Sequence, residues 1–135
     1  MKSVLNPSKT GIFSRNEAIT VGIVLSIVII LLLIGMVSIW IARADSQISR
    51  DASTVLSGVQ QYVGDHSGNV PDVSTINISE FQQAYNLPSG YTYSFGTSSN
   101  STDAMAISNR NCSGQAGASV HFFLHVGGSR CLEAQ

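Results

Sequence analysis

The chain has 135 residues, of which 44% are hydrophobic and only 11% are charged, and its formal net charge is -1. This length accommodates one membrane-spanning helix and one small domain, and it excludes two independent cores. The sequence beyond Arg50 lacks basic clusters interleaved with aromatic residues, which argues against direct binding of nucleic acid.

The N-terminal segment, residues 1–11, is short and basic and contains Pro7, which is typical of a leader peptide. Residues 1–16 carry three positive charges and no acid, whereas residues 43–135 carry four arginines and seven acids. Lys and Arg mark the cytoplasmic side of a membrane segment. We therefore expect the N-terminus inside the cell and the C-terminal part outside.

An uncharged segment, residues 18–42, follows directly after Glu17. A helix of this length rises about 37 Å, enough to cross a hydrocarbon core of about 30 Å. Beyond it, apolar residues recur at helical spacing, with no strong helix breaker between the two segments. We therefore predict one continuous helix from about Glu17 to about Gly64. The stripe comprises Ile48, Ala52, Val55, Leu56, Val59, Tyr62 and Val63.

Glu17 stands at the edge of the uncharged segment, where an unpaired carboxylate costs on the order of 2–3 kcal/mol. One explanation is that it marks the cytoplasmic end of the helix and pairs locally with Arg15. The other is that it meets a positive charge of a neighbouring molecule in an assembly of such helices. The residues alone leave both explanations open.

The C-terminal part, residues 65–135, reads as a small head with β structure. We predict a short helix over 77–85, with a capping-type start at Asn77. Strands are predicted over 91–95, 104–108, 120–126 and 130–132, the last two forming a hairpin around Gly127, Gly128 and Ser129. The predicted fold class is α+β, with the long helix of 12–64 packed on a small antiparallel sheet.

Cys112 and Cys131 both fall in the part predicted to be external. An even number of cysteines in an exported domain favours a disulfide over free thiols. The closed loop of about 20 residues would stabilise the fold by roughly 3 kcal/mol. Two cysteines without a C-x-x-C motif make a poor zinc site.

The sequence contains no pattern that favours catalysis. His121 and His125 would lie on one face of a strand, about 13 Å apart, too far to ligate one ion together. We interpret both as exposed and structurally incidental, with the opposite face of Phe122, Leu124 and Val126 packed on the helix. No G-x-S-x-G motif or carboxylate pair stands out. We expect no enzymatic activity, no cofactor and no metal.

Taken together, these features resemble type IV pilin and pseudopilin precursors. The resemblance is carried by the basic leader ending at Gly11, by Glu17, by the uncharged segment 18–42 with its amphipathic continuation, and by the C-terminal cysteine pair. It implies cleavage by a prepilin peptidase, N-methylation, and assembly at an inner-membrane platform through a glutamate at mature position five. Cleavage after Gly11 makes Ile12 first and Glu17 sixth, whereas cleavage after Ile12 makes Phe13 first and Glu17 fifth.

The resemblance implies a structural subunit, major or minor, that first sits in the cytoplasmic membrane and then joins an extracellular filament. The filament's use in adhesion, motility, DNA uptake or secretion is left open. An alternative is an uncleaved, signal-anchored binding or sensor domain outside the membrane. A third hypothesis is secretion after cleavage at Ala42-Arg43-Ala44, although the uncharged segment is far longer than a usual signal.

Overall fold

The computed structural model describes residues 14–134. Within that range the chain forms two helices, α1 (Arg15–Asp65) and α2 (Ile78–Ala84), followed by four strands. The strands are β1 (Thr92–Phe95), β2 (Ala104–Arg110), β3 (Ala116–Leu124) and β4 (Gly128–Glu133). The chain divides into two compact units between Ile39 and Trp40. The predicted α+β fold class is confirmed.

Helix α1 has 51 residues and passes through the uncharged segment and the amphipathic stripe without interruption. It ends where Ser67 (φ 56°) and Gly68 (φ 90°) take left-handed conformations. The backbone N–H of Gly68 there donates to the carbonyl of Val63 at 2.8 Å, which satisfies a carbonyl at the helix end. The prediction of one helix ending near Gly64 is correct to within one residue.

The sheet has the order β1-β2-β3-β4 and is mixed rather than antiparallel as predicted. Strands β1 and β2 run parallel, with Thr92 opposite Ala104, while the two other pairs are antiparallel. The parallel pairing is possible because β1 has only four residues. The connection of residues 96–103 can therefore span the length of β1, at about 3.3 Å per residue, and return to its start.

The predicted hairpin of β3 and β4 is present, but its loop lies earlier than expected. Leu124 pairs with Gly128, so the loop consists of residues 125–127. The apolar sequence pattern continues through Val126, yet the strand ends at Leu124. The reason is that the backbone N–H groups of His125 and Val126 are bonded to a side chain of α1 instead of to another strand.

The core forms where the amphipathic part of α1 packs on one face of the sheet. Five stripe residues of α1 are buried and two, Leu56 and Val63, are partly buried. At Gly58, a Cβ atom would stand 3.1 Å from the Cδ2 of Leu87 and 3.3 Å from the Cβ of Tyr85, so the chain approaches α1 closely there. The core comprises Ile48, Ala52, Val55, Val59, Tyr62, Phe81, Leu87, Tyr93, Met105, Ile107, Ala118, Val120 and Phe122.

Candidate functional site

The start of α1 is organised by a reciprocal pair of hydrogen bonds between Ser14 and Glu17. The backbone N–H of Ser14 donates to Oε2 of Glu17 at 2.7 Å, and the backbone N–H of Glu17 donates to Oγ of Ser14 at 3.3 Å. This is a capping box, which satisfies two N–H groups at a helix start. Its S-x-x-E signature is readable from the sequence at residues 14–17.

The two explanations of Glu17 can be compared with this geometry. No ion pair joins Glu17 to Arg15 within residues 14–134, so the proposed local partner was wrong. The carboxylate does have a local structural role, through Ser14 rather than Arg15. The processing residues Gly11, Ile12 and Phe13 and the leader 1–11 lie outside the described residues and stay predictions.

The uncharged part of α1 is exposed from Ala18 to Trp40, and only Ile41 near its end is partly buried. Its large hydrophobic side chains between Ile19 and Trp40 are 46% to 77% exposed. The most apolar window of the helix has a mean hydropathy of 3.0, and none of that window is buried. A soluble surface rarely carries a contiguous apolar area of this size. The segment is therefore consistent with a single membrane span.

The hydroxyl side chains of the uncharged segment are satisfied by α1 itself. Thr20 donates to the carbonyl of Asn16 at 3.0 Å, Ser26 to that of Gly22 at 2.8 Å, and Ser38 to that of Ile34 at 2.9 Å. Hydrocarbon offers no hydrogen-bonding partner, so an unsatisfied hydroxyl would be costly there. These bonds make the segment suitable for burial in lipid despite its polar atoms.

Just beyond the uncharged segment, Asp45 of α1 binds the loop between β3 and β4. Its Oδ1 accepts from the backbone N–H of His125 at 2.8 Å, and its Oδ2 accepts from the backbone N–H of Val126 at 2.9 Å. The Nδ1 of His125 lies 2.9 Å from Oδ1. Burial raises the pKa of Asp45, but these hydrogen bonds outweigh it, and the net effect is a lowered pKa.

The interpretation of the two histidines needs correction. The side chain of His125 is 45% exposed, as expected, but it is not incidental, because it contacts Asp45 across 80 residues of sequence. His121 is only partly exposed, and its Nε2 lies 3.1 Å from Oγ of Ser119 and 3.6 Å from Sγ of Cys131. Burial lowers the pKa of His121. The predicted packing of Val126 is also wrong, since that side chain is 67% exposed.

Two further acids of α1 accept hydrogen bonds from tyrosines of the head. Oδ2 of Asp51 accepts from the hydroxyl of Tyr91 at 2.8 Å, and Oδ2 of Asp65 accepts from that of Tyr85 at 3.3 Å. Burial, together with the neighbouring carboxylate, raises the pKa of each tyrosine. These contacts could not be predicted, because nothing local in the sequence relates residues 20 or 40 positions apart.

The aromatic residues of β1, Tyr93 and Phe95, and the adjacent Tyr91 pack towards the core. Tyr93 is buried, its hydroxyl donates to the carbonyl of Pro88 at 2.7 Å, and burial raises the pKa of Tyr93 to about 12. Tyr91 and Phe95 are partly buried against the same core. These side chains therefore do not form a free aromatic surface for a ligand.

The disulfide between Cys112 and Cys131 is confirmed. Cys112 lies in the connection between β2 and β3, and Cys131 lies in β4, as the sequence predicted. The backbone N–H of Cys112 also donates to Oε2 of Glu133 at 3.0 Å. The disulfide therefore links the edge strand β4 to the loop that precedes β3.

The grooves of the head offer little chemistry. One groove of about 480 Å³ is open and lies between α1 and the start of β3. Its lining contains no acid, base or nucleophile, and residues 14–134 contain no group of three potential metal ligands. The groove is lined by Gln60, Val63, Gly68, Val70, Gly117, Ala118 and Ala134.

Comparison of the chain with protein-family models, with curated proteins and with solved structures found no match. The structure itself offers three candidate functional features. They are the uncharged part of α1, the capped carboxylate of Glu17 at the start of this helix, and the head that packs on the second half of α1.

Proposed function

We propose that the chain is a structural subunit of a type IV pilus or pilus-like filament, which it joins through the apolar part of α1 after removal of the leader. One observation carries this proposal. The exposed, uncharged segment continues without a break into the helical residues that form part of the core of the head. A simple membrane anchor does not need a continuous helix. A filament subunit does, because the packing of its helix at the centre of the filament has to set the position of its outer domain.

In the proposed filament, the exposed apolar side chains of α1 pack against those of neighbouring subunits and leave the lipid. Cleavage after Gly11 or Ile12 would create a new amine close to the start of α1. The carboxylate of Glu17 could then neutralise the amine of an adjacent subunit, because a charge in an apolar setting is tolerated only when paired. In the precursor, the backbone of Ser14 is the donor that holds the carboxylate.

The capping box favours a second candidate, an uncleaved, membrane-anchored domain that binds or senses something outside the cell. In that case Ser14 and Glu17 only start the helix, and Glu17 needs no partner from another molecule. The two candidates predict different N-termini and different responses to removal of the charge on Glu17.

The first test is the intact mass and N-terminal sequence of protein from membranes and from material sheared off the cells. Filament assembly predicts a shortened chain that begins at Ile12 or Phe13 and is present in the sheared fraction. A chain that still begins at Met1 and occurs only in membranes would support the anchored domain and contradict the filament proposal.

The second test separates the charge of Glu17 from its capping role. Glu17→Gln removes the charge but keeps a side chain that capping boxes accept, whereas Ser14→Ala removes the cap oxygen and keeps the charge. Loss of the cap costs about 1 kcal/mol. We expect Glu17→Gln to insert into membranes but to be largely lost from sheared filaments, and Ser14→Ala to assemble. Normal filaments from Glu17→Gln would refute the assembly role of the charge.

A further inference from the structure

Beyond Ile39, few large hydrophobic side chains of the described residues are strongly exposed. From Trp40 onward within residues 14–134 they are Trp40 (77% exposed), Val73 (82%) and Val126 (67%). A single exposed hydrophobic residue needs no explanation, because apolar atoms make up much of any protein surface. The position of Val126 therefore matters more than its exposure.

Val126 is held close to the end of the uncharged segment. Its backbone N–H donates to Oδ2 of Asp45 at 2.9 Å, and Asp45 follows residue 42 by three positions, a rise of about 4.5 Å along a helix. Ile41 is the first partly buried residue of α1, and Ala44 and Asp45 are also partly buried. The head thus covers the side of α1 at the point where the uncharged segment ends.

The charges around this loop fit an anionic layer. Arg43 is exposed and lines a shallow groove with Trp40 and Ala44. The guanidinium of Arg130 lies over the loop, with its Nη2 2.8 Å from the position that a Cβ on Gly127 would take. The nearby acid, Asp45, already accepts hydrogen bonds from the loop on both carboxylate oxygens.

We propose that the loop of residues 125–127, together with Trp40 and Arg43, rests in the headgroup layer of the phospholipid membrane that α1 spans. Val126 and Trp40 then meet the boundary between the glycerol and acyl regions, where aromatic and amphipathic side chains are favoured. Arg43 and Arg130 meet the lipid phosphates, since guanidinium pairs well with phosphate. This inference rests on the membrane anchoring within the proposed function, but it is independent of filament assembly.

We assign a lipid surface as the partner of this loop because the loop is bonded to α1 next to the segment that spans the membrane. Any molecule anchored by residues 18–42 brings Asp45, and with it the backbone of Val126, within one helical turn of the end of that segment. Val73 provides a matched comparison. It is equally apolar and more exposed, but it lies in the connection that follows the other end of α1, after Asp65.

The experiment uses the full chain, disulfide intact, in vesicles of equal parts phosphatidylcholine and phosphatidylglycerol. A nitroxide spin label is placed at Val126→Cys or at Val73→Cys, and its collisions with oxygen and with a water-soluble nickel chelate are compared. The described chain has no free cysteine, so each label has one attachment site there. Trp40 is the only tryptophan, and quenching of its fluorescence by brominated lipid reports insertion of α1 independently.

We expect a severalfold higher ratio of oxygen to nickel collisions at position 126 than at position 73. Adding Asp45→Ala, which frees the loop, should lower the ratio at 126 towards that at 73. Equal ratios at both positions, with Trp40 quenched, would overturn this inference and leave membrane anchoring intact. A ratio at 126 unchanged by Asp45→Ala would overturn the role of the carboxylate. Absence of Trp40 quenching would overturn the inference together with the anchoring.

Discussion

The acids in the second half of α1 act as attachment points for the head. Asp45 binds the loop after β3, Asp51 binds Tyr91, and Asp65 binds Tyr85. Each carboxylate faces a donor that arrives from a distant part of the sequence. The charges therefore do more than keep one face of the helix soluble, because each fixes one piece of the head on α1.

The Asp45 contact predicts a dependence of stability on pH. A lowered pKa in the folded state means that the stabilisation is present above the unfolded value of about 3.8 and is lost as pH falls through the folded value. In Asp45→Asn one acceptor oxygen remains, but the NH2 group of the amide replaces the other and faces a backbone N–H donor of the loop. We expect Asp45→Asn to unfold at a lower temperature than the parent chain at neutral pH.

The measurement is thermal unfolding of the full chain in detergent, followed by near-ultraviolet circular dichroism over a series of pH values. The difference between Asp45→Asn and the parent chain should shrink as pH falls from the ordinary aspartate pKa through the lowered pKa of the folded state, below which the parent carboxyl is also neutral. Glu80→Gln, at an exposed position of α2, is the control and should differ little from the parent. A difference that does not change with pH would show that charge is not the cause.

At the scale of elements, the sequence predicts α1 well because its signal is periodic and local. The spacing of the stripe residues fixes which face of α1 is buried, and that face is the one observed. The signals for the sheet are weaker. The parallel pairing of β1 with β2 depends on how residues 96–103 fold back, and no residue pattern specifies this path. Likewise, β3 ends where the carboxylate of Asp45 accepts hydrogen bonds from the following loop. This contact is visible only in the tertiary structure.

Two glycines of α1 should respond in opposite ways to a larger side chain. Gly58 faces Leu87 and Tyr85 at 3.1 and 3.3 Å, so Gly58→Val should overpack this contact and destabilise the head by about 1–3 kcal/mol. Gly64 has no neighbour within 4 Å of a Cβ, so Gly64→Ala should stabilise the helix by up to about 1 kcal/mol. Denaturant unfolding of both variants measures the free energies. Equal effects would contradict the close packing at Gly58.

At the scale of the whole molecule, the disulfide supports a head that is small for an independent domain. The bond encloses β3 and most of β4, with a sequence separation of 19 residues. The pairing could be predicted from cysteine number and topology. The candidate site could be predicted only in part, since the sequence singles out Glu17 but its bond to Ser14 was not predicted, and the processing residues lie outside the described range.

Replacement of both cysteines by serine tests this support. We expect the free energy of unfolding to fall by roughly 3 kcal/mol, mainly because the unfolded chain gains freedom. Denaturant unfolding of the double variant, compared with the parent under non-reducing conditions, gives the value. Reduction of the parent chain should produce a similar loss. Unchanged stability in both experiments would contradict a supporting role for the bond.

The distribution of the carboxylate contacts along α1 has a mechanical consequence. Asp45 and Asp65 are separated by 20 residues, about 30 Å along the helix, with Asp51 between them. A pull along the helix axis loads these contacts in shear, so several of them share the force at the same time. A pull across the axis instead loads one end first and breaks the contacts in turn. The head is therefore attached to its helix at several points along the axis, which share an axial load.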